Sequence, residues 1–492
     1  MKRFSLKGLV LLNIATMISV KNWPFMAQYG LASVAFILLP ALLFFLPTAL
    51  VSAELATGCS EEGGGVFVWV KKAFGERVGF LAVWLIWVSN VVWYPTLLAF
   101  VGIAFSYVFN PTLEESTLYN FLVIVVAFWS VIFLNLKGVH LSGKLNTIST
   151  LFGTLLPGIV IVSFAVIWLG TNRPTLIDFK LGSFIPPMKS MGEWIFITGI
   201  LLGFSGIEMN AIYANQLKAP QKNYPKAIIL SASIIVFFSI LGTVAISLVL
   251  APDKMNLAGA IIDVLALFLN EYNLSIILPI FCLLIAFGEL GGMSVWIMGP
   301  NRGLLAAAQN GKYLPKMLCK TDHHGTPKGM MIFQAIVVTL VASAYLFFSD
   351  VNIAFWVLIA LSCQLYLMMY LLMFSAAIVL RYKFPKLPRP FKLPFGKVGL
   401  WGICGLGMLC CLGAIAIGFF PPEQLDVKKT ITFEVFLILS ILFFCAFPFF
   451  KRTSRKAPRG LKRYIPRKIL SGAVIQKQKK AEIFYSESSF DR

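Results

Sequence analysis

Two stretches decide the architecture: NIATMISVKNWPFMAQYG at 13–30 and ITGILLGFSGIEMNAIYANQ at 197–216. Each sits in an apolar run of about twenty residues, enough to cross a bilayer as a helix, and each is interrupted near its centre. Lys21, Asn22 and Pro24 break the first; Gly203, Ser205 and Gly206, followed by Glu208, break the second. Inside a membrane, irregular backbone survives only where it lines a cavity or is enclosed by protein. Two matched breaks about five spans apart point to a binding site near the midplane, at the interface of two inverted repeats. Half-helix N-termini there present N–H groups and a positive dipole end, suited to a carboxylate.

Composition agrees with a membrane setting. The 492 residues are 58% hydrophobic and 13% charged, against roughly 45–50% apolar and about 25% charged in soluble globular chains. That excludes a disordered chain, a coiled coil and an ordinary soluble enzyme. The short alternating strands of a β-barrel are absent. The reading is an all-α polytopic membrane protein with spans at 9–31, 32–55, 78–108, 118–136, 146–170, 194–217, 226–250, 273–308, 329–348, 352–380, 399–420 and 431–450. Its parts are an N-terminal segment (1–8), a core of two five-span repeats (9–380), two further spans (399–450) and a basic tail (451–492). The apolar stretch behind the basic MKRFSLKG start has no small-residue cleavage site and continues as a full span, so no cleavable signal is expected.

The net charge of +21 describes topology rather than a nucleic-acid partner. With the N-terminus inside, only Arg173, Lys180, Lys189, Lys254, Lys428 and Lys429 fall in exterior segments, and Lys21 lies within a span. All other Lys and Arg face the cytoplasm, as the positive-inside rule requires, and both termini are expected there. The tail carries nine Lys/Arg among residues 451–468 and is expected to lie on anionic lipid headgroups. Its aromatic end, IFYSESSF, also suits a segment folding back over the cytoplasmic mouth. The eight cysteines form no C-x-x-C pair, and His140, His323 and His324 lie in polar connections. Neither a metal site nor any cofactor is suggested.

Charged groups at membrane depth are costly and mark a pathway, a relay or an ion pair. Three qualify: Lys21, Glu208 and Glu289. Lys21 and Glu208 occupy the two breaks and are expected to face one cavity, either contacting substrate or holding the unwound segments together as a buried pair. Glu289 either faces a cytoplasmic cavity or bonds to span 1. Tyr366 and Tyr370, four apart, share one face of the tenth span. Periodicity alone leaves that pair, Phe204 and Trp296 open between packing and binding.

The segments GFSGIEMNAIYANQLKAPQKNYPKAI (203–228), EEGGGVFVWVKKAFG (61–75) and WIMGPNRGLLAAAQNGKYLPK (296–316) resemble motifs of the amino acid–polyamine–organocation (APC) superfamily of transporters, over about residues 6–450. WPFMAQYG in span 1, the GP-x-R-G segment after Trp296, the Y-x-x-x-Y pair and FFPPEQL after span 11 look most like the bacterial glutamate/γ-aminobutyrate antiporters. The resemblance implies a five-plus-five inverted-repeat core working by alternating access as an obligate amino-acid exchanger in a bacterial cytoplasmic membrane, and not an enzyme. By motif match it implies a substrate site built from Lys21, Asn22, Trp23, Phe204, Ser205, Gly206, Glu208, Trp296, Tyr366 and Tyr370. Four departures stand out. Lys21 stands where those antiporters carry an uncharged residue, and Gly292 where they carry a span-8 acid. Gln216 replaces an acid at the end of span 6, and the tail has no histidine, unlike the family's pH-gating plug. One added cation near a carboxylate site favours anionic or zwitterionic substrates over cationic ones. A proton-coupled amino-acid symporter and an amino-acid sensor on the same fold are the other readings.

Overall fold

The computed structural model describes residues 5–59, 65–137, 146–185, 195–252, 255, 259–310, 313–322, 325–347, 351–420 and 427–450. The described elements are helical. Among them, nine helices are long and apolar enough to cross a membrane, ten when the bent pair Leu6–Met17 and Val20–Ala27 counts as one span. The broken sixth span and the last helix, Val427–Phe450, make up the twelve. Residues 451–492, with the expected lipid contact of the tail, lie outside the described part, as do the three histidines.

The two interrupted spans are broken where the sequence requires it. Span 1 starts on Ser5, whose hydroxyl accepts the Gly8 N–H at 3.1 Å as an N-cap, and runs as a helix to Met17. A short 3-10 turn, Val20–Asn22, follows, then the helix Pro24–Ala27. Ile18 and Ser19, between Met17 and that turn, are extended, and the chain bends by 48° from Leu6–Met17 to Val20–Ala27; Pro24, with no N–H, sits comfortably at a first helical position. Span 6 runs as a helix over Ile195–Gly203 and resumes as a 3-10 helix over Ile207–Gln216. Between them Gly206 takes φ +112°, which costs a side-chain-bearing residue steric strain.

The remaining spans surround these two. Spans 3 (Glu76–Phe109) and 10 (Ala354–Lys383) are the most enclosed, with 78% and 83% of their central windows buried, against 28% for span 11 (Gly396–Ile417). Span 5 (Asn146–Gly170) crosses span 8 (Ser275–Ala308) at a pair of glycines. A Cβ on Gly153 would fall 2.3 Å from the Gly288 Cα, so the backbones approach as only small residues permit. Two helices outside the spans complete the frame. Val66–Phe74 lies between spans 2 and 3 with Val66, Phe67, Trp69, Val70 and Ala73 buried. Ala260–Glu271 lies between spans 7 and 8 with its apolar face buried. It shares one hydrophobic cluster with Val20, Trp23, Ala27 and Leu31 of span 1.

Buried polar groups tie the broken spans to their neighbours. Asn13 of span 1 donates to Ser231 of span 7 at 3.1 Å. Asn210 of span 6 donates to Asn13 at 3.0 Å and to Thr16 at 3.2 Å. At the end of span 2 (Ala32–Gly58), the buried Glu54 accepts from Arg381 Nε at 3.0 Å and from the Leu393 N–H at 2.7 Å, with Arg389 Nε 3.5 Å away.

Candidate functional site

A cavity opens where spans 1, 3, 6, 8 and 10 meet; its free space, mouth included, is about 780 Å³. The break in span 1 supplies Ser19, Lys21 and Asn22 to its wall, and the break in span 6 supplies Gly203 and Ser205. The breaks touch each other. A Cβ on Gly203 would lie 3.0 Å from Asn22 Nδ2, so the glycine lets the two unwound segments close up. Span 8 adds Glu289, Gly292 and Trp296, span 3 adds Asn90 and Trp93, and span 10 adds Ser362 and Tyr366.

Lys21 and Glu289 are the charged side chains among those lining residues. Lys21 is 4% exposed; its Nζ lies 4.8 Å from the centre of the Trp93 ring, a cation–π contact, and meets no hydrogen-bond acceptor among the described residues. Glu289 accepts the Ser19 hydroxyl at 2.7 Å, so it bonds to span 1 and lines this same cavity. Trp296 donates its indole N–H to the Thr16 carbonyl at 2.8 Å and covers Gly206, where a Cβ would fall 2.2 Å from its ring.

Glu208 does not share the cavity wall with Lys21. It is 1% exposed and accepts the Tyr366 hydroxyl at 2.9 Å and the Tyr370 hydroxyl at 2.6 Å. Glu208 lines a separate cavity of about 980 Å³, mouth included, walled by Val66, Phe67, Met209, Gly299 and Arg302 among others. That cavity lies against the helix Val66–Phe74, toward the side where span 1 begins. Tyr366 lines the first cavity and bonds to Glu208, which lines the second. The tyrosine–carboxylate cluster is therefore the partition between them. Lys21 therefore shares its cavity wall with Glu289 rather than with Glu208, which lies beyond the break in the 3-10 helix Ile207–Gln216.

Trp23 and Phe204 also turn away from the main cavity. Both line a smaller one beside it. Trp23 packs edge-to-face on Phe238 at 5.2 Å and fills the space over Gly158 and Gly242. Phe204 stacks on Phe45 at 4.9 Å. At the span-6 break the backbone donors are already used: Phe204 N–H bonds to Ile200, Ser205 N–H to Leu202, and Gly206 N–H to the Tyr370 hydroxyl at 2.8 Å. The first two bonds close the C-terminal end of the helix Ile195–Gly203, and the third ties the break to span 10. Trp93 and Ser19 were not singled out from the sequence; a tryptophan or serine within an apolar run carries no mark of which cavity it faces.

A family profile described as amino acid permease matches residues 4–457. The chain belongs to the amino acid permease family. A Legionella pneumophila protein described as an uncharacterized transporter is 37% identical over 441 residues, covering 90% of this chain and 94% of its own. The glutamate/gamma-aminobutyrate antiporters of two Lactococcus lactis subspecies are each 32% identical over 452 residues, covering 91% of this chain and 90% of theirs. This permease is accordingly a multi-pass amino-acid transporter of the APC type.

Proposed function

We propose that this permease is an obligate exchanger of small amino acids in a bacterial cytoplasmic membrane, trading glutamate for γ-aminobutyrate or a related amino acid. The observation that carries the reading is the meeting of the two unwound segments, Asn22 against Gly203, in the wall of one cavity. The two Lactococcus antiporters support the substrate pair. The distribution of Lys and Arg supports cytoplasmic termini, so the cavity lined by Glu208 is the cytoplasmic vestibule.

The mechanism follows from the partition. Substrate in the central cavity is separated from the vestibule by Tyr366, Tyr370 and Glu208, joined by hydrogen bonds of 2.9 and 2.6 Å. Opening inward requires those bonds to part as the span-6 segment Ile207–Gln216 moves away from span 10. Bound substrate lowers the free energy of the closed intermediate, so the empty carrier crosses slowly and exchange dominates. A proton-coupled symporter is the second reading. Glu208 favours it, since its buried carboxylate is held by hydroxyls and a proton can reach it from the vestibule.

Counterflow in proteoliposomes tests both. Labelled glutamate is presented outside, with γ-aminobutyrate, glutamate, glutamine or nothing inside, at acidic and neutral pH. Uptake that needs an internal amino acid is the expected result. Uptake into empty liposomes driven by a proton gradient overturns exchange and selects the symporter.

A further inference from the structure

Resting on the reading of the central cavity as the substrate site, we infer that Lys21 selects the substrate by binding a carboxylate at the end of its side chain. Lys21 is the specificity determinant for acidic over amide or apolar amino acids. Four observations converge on it. The ammonium is buried yet meets no hydrogen-bond acceptor among the described residues, and a buried donor left unpaired is costly. It lines the cavity, held over the face of Trp93, a contact that supports the charge without using its N–H donors. The backbone N–H groups of Phe204, Ser205 and Gly206 are already bonded within the protein, so they do not compete for the anion. Finally, Gly292 lines the same cavity, and a Cβ there would meet nothing nearer than the Ala15 carbonyl at 4.0 Å. The glycine keeps open a space facing span 1.

Glu289 sets the limit of this selectivity. Its carboxylate shares the cavity and is oriented by Ser19 at 2.7 Å, so the lining charges sum to zero and a second carboxylate is tolerated only through Lys21. Glutamate and glutamine differ by that one group and hardly at all in shape. Their ratio therefore reads the Lys21 contact and cancels everything else about transport.

The test is competition by glutamate and by glutamine against labelled substrate, in counterflow and as thermal stabilisation of the purified protein. It is run on the natural chain and on Lys21→Met, Lys21→Arg and Glu289→Gln. A charge-assisted hydrogen bond lost from a dry site is expected to lower the glutamate-to-glutamine preference of Lys21→Met by about 10- to 100-fold. Lys21→Arg should keep most of the preference, and Glu289→Gln should raise it several-fold. A natural protein without preference for glutamate, or a ratio unchanged in Lys21→Met, overturns the inference. If Lys21→Met does not fold, an unchanged ratio in Glu289→Gln does so instead. The need for an internal amino acid is read separately from these ratios, so exchange can fail while Lys21 stands, and the reverse.

Discussion

Gly206 is the residue on which the site depends most directly. Its φ of +112° and the Trp296 ring 2.2 Å from where a Cβ would stand exclude any side chain. Gly206→Ala combines backbone strain with overpacking and should cost about 2–5 kcal/mol, seen as a lower melting temperature or as loss of the folded protein from the membrane. Glu208 is a different case, because amide and carboxylate have nearly the same shape. Glu208→Gln should leave abundance in the membrane nearly unchanged while slowing exchange at least tenfold, since both tyrosine hydroxyls then lose a charged acceptor. Initial counterflow rates normalised to protein in the membrane decide it; unchanged rates would remove Glu208 from the gate. Both residues stand out in the sequence, as a glycine-flanked break and an acid at membrane depth. What surrounds them does not, because Tyr366, Tyr370 and Trp296 come from spans far along the chain.

At the scale of elements, the helix Ala260–Glu271 closes over the second segment of span 1 through apolar packing. It is also tied to span 3 by the Tyr107 hydroxyl, which donates to Asp263. Glu114, in the turn Pro111–Glu115, has its carboxyl pushed up to about 6, chiefly by burial and further by the nearby carboxylates of Asp263 and Glu115. Asp263 is also held above its usual range by burial, against the opposing hydrogen bond from Tyr107. A raised carboxyl binds its proton more tightly in the folded state, so folding is favoured as pH falls through about 6 and that gain is lost as pH rises. Melting between pH 7 and pH 5 should show this stabilisation in the natural chain, and Glu114→Gln should flatten the dependence. The glycine crossing of spans 5 and 8 is a second element-scale device. Gly288→Val would force the spans apart at Gly153 and should lower stability by about 1–3 kcal/mol or more, measured by thermal melting in detergent.

For the whole molecule, the charge distribution and the buried ionic cluster at the end of span 2 concern the same face. Arg381 from the last turn of span 10 and Arg389 from the connection after it converge on Glu54, which is 4% exposed. Removing the carboxylate leaves two cations facing each other in a poorly hydrated place, so Glu54→Gln should destabilise the fold by about 3–5 kcal/mol; an unchanged melting temperature would count against it. The orientation proposed from the Lys and Arg positions has its own check. A reporter cysteine appended to the C-terminus should react with an impermeant thiol reagent only after the membrane is opened.

Composition, the recurrence of twenty-residue apolar runs and the two interrupted stretches were enough to determine a twelve-span helical membrane protein with breaks in spans 1 and 6. Those features are local: hydropathy, proline at Pro24 and glycine at Gly203 and Gly206 act over a few residues and need no partner. The three motifs were likewise enough to point to the family. Tertiary structure alone decided which way the side chains at the breaks face. Lys21 lies over Trp93 and shares a cavity with Glu289 rather than Glu208, and Trp23 and Phe204 pack away from the main cavity. A 3-10 turn and a residue at positive φ reset the helical phase, so spacing along the chain no longer predicts direction. The partners, moreover, come from spans 3, 8 and 10, whose approach is set by packing over the entire bundle.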